Sequence, residues 1–185
     1  MESKKPFYKK WWFWVIIFIV IAGIAGASGN QPKKIESPAT NEVVATNTPT
    51  QEPEPKAEIF KVSDKVQLGD YILTVNAAED CASTNQFTKP QSGNKFFVVD
   101  VTQENDGDDS RSYNLWDFKL QDDKDFSYQT SLSACKNPAF GAGDLQKGQK
   151  TRGFITFEIP KENKATKLIF TPSWLSSDQI MIELQ

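Results

Sequence analysis

Hydrophobic positions follow three regimes along the chain. Trp11 to Ala27 is a run of seventeen residues without a charge, Ser28 to Ala57 holds almost no large apolar residue, and from Glu58 onward short apolar runs recur. Gly, Pro, Asn and Asp punctuate those runs, and no helical period emerges. The spacing predicts strands over 59–68, 70–79, 94–105, 113–121, 126–130, 150–159, 166–171 and 178–184. In the segment FFVVDVT, Phe97, Val99 and Val101 alternate with Phe96 and Val98, all apolar, as expected of a central strand covered on both faces. Ile155, Phe157 and Ile159 oppose Arg152, Thr156 and Glu158, and Ile180, Ile182 and Leu184 oppose Glu183, the pattern of half-buried strands. Gly69-Asp70, Gly107 and Asp122-Asp123 supply turn residues between them. Seven or eight short strands in residues 58–185 predict an all-β sandwich with Greek-key connections.

The first run predicts a membrane segment. A helix of seventeen residues spans roughly 25 Å, at the lower edge of a bilayer crossing and longer than the core of a cleaved signal. Lys4, Lys5, Lys9 and Lys10 precede it against a single Glu2, which places the basic tail 1–10 in the cytoplasm. Trp11, Trp12 and Trp14 stand at the headgroup level beside Phe7 and Tyr8, placement that suits a retained anchor over 11–27. Ala25-Gly26-Ala27 also fits a cleavage site, so a secreted protein released after Ala27 remains the alternative. No cysteine follows the run, which excludes a lipid anchor on cysteine. Residues 28–57 carry five of the ten prolines and read as a disordered linker that supplies distance.

Charge and composition narrow the function. The net charge is −3, and with +3 in residues 1–10 the remainder carries −6, which argues against nucleic acid as a partner. Histidine is absent, removing the commonest general base, the commonest metal ligand and every Ser-His or Cys-His nucleophile. The expectation is a protein without catalysis or cofactor. Ser133-Ala-Cys-Lys136 matches S-x-x-K, but its companion motifs are out of order and a nucleophile-bearing helix is not in prospect. The acidic clusters at 104–109 and 122–125 offer oxygens to calcium without the loop spacing that calcium sites use, and read as turns.

Cys81 and Cys135 lie on the exported side, where a disulfide closing a 54-residue loop forms and persists; two separate buried thiols are the alternative. Each cysteine sits in one of the two longest irregular stretches, 80–93 and 131–149, so a bond would stitch these together. Such loops on a rigid sandwich are candidate binding surfaces, with Phe87, Lys89, Lys136, Asn137 and Phe140 as contact residues. The aromatics could equally plug the open end of the sandwich.

The order GNKFFVVDVTQEN, DFKLQD, a Tyr- and Ser-rich stretch, LQKGQKTRGFITFEIP and KLIFTP resembles the telokin-like, immunoglobulin-type domain of unknown function found in surface proteins of Gram-positive bacteria. That family is similar to the mycobacterial immunoprotective extracellular protein. The resemblance covers residues 58–185 and implies an immunoglobulin-like fold, a membrane or lipid anchor followed by a polar stalk, and no catalytic residue. The expected whole is a single-pass protein presenting a binding module to a protein or cell-envelope ligand. The antibody pattern is missing: Trp116 lies thirty-five residues after Cys81, and position 133 is Ser rather than Tyr. A Cys81–Cys135 bond would therefore not be the usual inter-sheet one.

Overall fold

Alternation of apolar and polar residues builds two facing β layers. A computed structural model describes residues 31–35, 58–82, 88–172 and 178–184; the expected membrane segment 11–27 lies outside them. The strands are β1 (Lys33–Lys34), β2 (Ile59–Lys61), β3 (Lys65–Leu68), β4 (Tyr71–Cys81), β5 (Asn94–Asn105) and β6 (Arg111–Asn114). They continue as β7 (Phe118–Asp122), β8 (Ser127–Ser131), β9 (Ala142–Leu145), β10 (Lys150–Pro160), β11 (Ala165–Phe170) and β12 (Ile180–Glu183). Among the described residues the only helical element is a single 3-10 turn at Leu115–Asp117, and no helix is long and apolar enough to cross a membrane.

The first layer runs β1-β3-β4-β5-β10 and the second β8-β7-β11-β12-β2, with β8 also pairing with β10 at Ser131 and Thr130. A separate ribbon joins β6 to β9. Phe97, Val99 and Val101 of β5 and Ile155, Phe157 and Ile159 of β10 meet Phe118, Leu120, Leu168, Phe170, Ile180 and Ile182 from the other layer. Each such side chain contributes about 1.5 to 3 kcal/mol by leaving water. The chain changes layers between β2 and β3 through Ser63, whose φ of 74° makes the turn, and Ser63 N donates to Val75 O at 2.8 Å.

The predicted run 59–68 is thus two strands in different layers, and 113–121 is split by the 3-10 turn. Among the described residues of 58–185, eleven strands, β2 to β12, replace the expected seven or eight. β9 escaped the periodicity because AGDL carries a single large apolar residue. Residues 31–35, inside the stretch expected to be a linker, add β1 to the edge of β3.

Candidate functional site

The outer face of the first layer is where the two long loops converge. On β5 the even residues face outward, away from the core, yet Phe96 and Val98 are each 1% exposed. Their cross-strand partners on that face are Cys81 and Glu79 of β4 and Glu158 and Thr156 of β10. The disulfide Cys81–Cys135, with Cα atoms 6.3 Å apart, ties the end of β4 to the loop between β8 and β9. Cys135 N donates to Thr156 Oγ1 at 3.2 Å, and Lys136 pairs with Glu79 while its Nζ lies 5.6 Å from the Phe154 ring centroid. From the other side, Gln91 N and Asn94 Nδ2 both donate to Glu158 Oε1, at 2.7 and 2.9 Å. The disulfide and the described loop residues Gln91, Asn94 and Cys135 thus flank the outer-face positions Phe96 and Val98, whose burial accounts for the two-sided apolar run FFVV.

The segment 138–140 then runs along β10. Phe154 N donates to Pro138 O at 2.8 Å and Phe140 N to Phe154 O at 2.9 Å. A Cβ on Gly153 would stand 2.7 Å from Phe140 N, so this approach requires glycine in the strand. That glycine was a readable sign of a backbone crossing.

Of the predicted contact residues, Phe140 is 4% exposed and stacks edge-on against Tyr113 and Phe118, both at 5.5 Å. It packs into the core cluster, with little of its surface left exposed. Lys89 and Asn137 are exposed, Lys136 is half-buried, and Phe87 lies outside the described residues. Asn137 precedes Pro138 through a cis peptide. Ser133 sits in the loop, so the S-x-x-K residues share no helix and Lys136 is committed to Glu79.

Beside the tied loop opens a cleft of about 180 Å³, lined by Leu115, Leu132, Ala134, Phe140, Phe154 and Ile155. Leu132 at its rim is 80% exposed, and Trp116, next to the lining residue Leu115, is 49% exposed. Sequence reasoning missed both; a lone Leu in the polar stretch SLSAC was the available signal. Next to the loops lies a polar band. Asp100 accepts a bidentate pair from Arg152 at 3.0 and 2.6 Å, and Asn76, the extra residue of a bulge in β4, donates to it at 3.1 Å. The Arg152 hydrogen bond, opposed by burial and aided by Asn76, holds the Asp100 carboxyl below its usual range.

The acidic clusters are turn chemistry. Asn105 spans its turn, donating to Asp109 O and Leu145 O and accepting from Gly107 N. Asp122 Oδ1 accepts from Lys124 N and Phe126 N, and its Oδ2 from Tyr128 Oη and Asn163 Nδ2. No group of three or more potential metal-ligating side chains occurs among the described residues.

The profile of a family described as a domain of unknown function, DUF4352, matches residues 60–180. The chain belongs to this family. The uncharacterized lipoprotein YjhA of Bacillus subtilis is 32% identical over 111 residues, 59% of this chain and 50% of the relative, so the match spans half of that protein's length. The crystal structure of the B. subtilis yjhA protein superposes with a TM-score of 0.51 at 22% identity, covering 68% of this chain and 99% of that one. MPT63, a secreted protein from Mycobacterium tuberculosis, gives 0.53 at 13% identity, covering 70% and 99%. At these identities the structures bear on the fold alone. The two superpositions agree with an all-β sandwich, which in this chain also carries the Cys81–Cys135 bond.

Proposed function

We propose that this DUF4352 chain is a membrane-anchored, extracytoplasmic binding module of the bacterial cell surface, with a telokin-like immunoglobulin sandwich held outside by residues 11–27. The observation that carries the reading is the disulfide that fixes two long loops on one face beside an apolar cleft. A disulfide belongs to an oxidising compartment, and the similar B. subtilis protein is named a lipoprotein. The ligand is a protein or cell-envelope component that places an apolar group in the cleft, against Leu132 and Phe154. No catalysis is assigned, because the chain has no histidine and the cleft lining holds only hydroxyls among reactive groups.

The test is capture by the full chain in detergent from solubilised cell envelopes, compared with a Leu132→Asp variant. A ligand retained by the parent and lost by the variant is expected; equal retention would remove the cleft from the proposal. A second reading is favoured by Ala25-Gly26-Ala27: release by cleavage, giving a secreted effector or inhibitor. Intact mass separates the two, since a chain beginning at Ser28 in the medium would establish release.

A further inference from the structure

Residues 31–35 are distant in sequence from the strand they join. Lys33 and Lys34 pair antiparallel with Gln67 and Val66, Ile35 N donates to Lys65 O at 2.7 Å, and Lys34 Nζ meets Asp64 Oδ1 at 2.7 Å. Bonded and non-bonded pairs alternate in an antiparallel ladder, so the Ile35–Lys65 bond makes Lys33–Gln67 the next bonded pair. The amides of Lys65 and Gln67 therefore point toward β1, and those of Val66 and Leu68 toward β4.

Backbone and charge hold β1 in place. Lys33 and Lys34 are exposed, Pro32 and Ile35 are half-buried, and none of the four belongs to the core cluster. Asp64 is preset to receive a cation, since its Oδ2 accepts Lys61 N at 3.0 Å and leaves Oδ1 facing Lys34. The Lys34 hydrogen bond keeps its carboxyl below the usual range. Without β1, the row of main-chain groups along β3 is an unpaired edge, the surface to which extended segments add. A contact this small persists because the chain itself supplies the segment at high effective concentration.

We propose that the edge of β3 is a strand-acceptor site for an extended, lysine-bearing polypeptide segment, and that residues 33–35 of the same chain occupy it as a reversible latch. The main-chain bonds give the site its affinity for any extended segment. Asp64 selects among them, because the residue opposite Val66 must carry a cation to reach it. Latched, residue 31 is fixed to the body of the domain; unlatched, the β3 edge is open to a strand from another chain. The inference stands whether residues 11–27 are retained or removed.

The test uses the full chain in detergent micelles and its Ile35→Pro variant, which lacks the N–H donated to Lys65 O. Exchange of the Lys65 and Gln67 amides should speed up by about tenfold or more in the variant, while Val66 and Leu68, bonded to β4, keep their rates and report an intact sheet. Unchanged exchange at Lys65 and Gln67 would overturn the latch. The peptide NQPKKIES, identical to residues 30–37, is then titrated to millimolar concentration and followed by NMR at Asp64 to Leu68. Saturable shifts are expected in the variant, and binding at least about tenfold weaker in the parent, whose own segment competes. No saturable shift in the variant would overturn the acceptor site. Asp64→Asn introduced into the variant keeps an oxygen for Lys61 N and removes the charge; peptide binding as tight as before would overturn the preference for lysine.

Discussion

Asp122 shows how far one buried carboxylate can be committed to the fold. It is 1% exposed, and two backbone amides, the Tyr128 hydroxyl and the Asn163 amide all donate to it. Burial alone would push its pKa up, but these donors outweigh it and hold the group below its usual value. Asp122→Ala would orphan four donors and should destabilise the domain by about 2 to 4 kcal/mol, read from the urea midpoint. Asp117 behaves in the opposite sense: burial, only partly offset by a backbone hydrogen bond from Asn114, raises it from 3.8 to about 6. Its folded form binds the proton more tightly than its unfolded form, so its contribution is full below about pH 4 and is lost as pH rises through 6. Asp117→Asn should flatten that part of the stability profile and raise the melting temperature at pH 7; an unchanged slope between pH 4 and 6 would remove Asp117 as its source. The sequence identified Asp122-Asp123 as a turn from residue type alone. It could not show the network, because Asn163 arrives from the connection between β10 and β11, 41 positions away.

The strands most legible in the sequence were those with clean alternation. β5 and β10 were found nearly to the residue because their inner faces are unbroken runs of Phe, Val and Ile. β1 and β9 were not, because backbone pairing holds them and KK and AGDL together bury a single side chain, Leu145. The loops took their shape from two long-range constraints, of which the cysteine pair was visible and Gly153 was visible but unread. Cys81→Ser should cost about 2 to 5 kcal/mol and make the outer cap, rather than the sheet, the first part to open. Limited proteolysis should then cut within 132–141 before it cuts any strand. Gly153→Ala forces a methyl against the Phe140 backbone, 2.7 Å from its nitrogen, and should cost about 1 to 3 kcal/mol by denaturant unfolding with the disulfide intact.

The whole chain combines a charge-free run, a proline-rich stretch and a sandwich whose remaining charge is strongly acidic. If residues 11–27 hold it in the bilayer, Val15→Arg with Ile19→Arg, each about 2.5 to 3.5 kcal/mol unfavourable near the helix centre, should move the protein from the membrane fraction to the soluble one. Unchanged fractionation would count against the anchor. One connection constrains how such a chain can reach its final form. β2 opens the domain, yet its strand partner is β12, with Ile59 beside Met181 and Phe60 beside Ile182 in parallel register. If the domain is exported through a translocase, the residues after the expected anchor emerge in chain order, and Phe60 arrives long before the strand that covers it. The sandwich cannot close until the last residues of β12 have crossed, so a translocation intermediate stalled before Ile180 should remain open to chaperones and proteases on the far side.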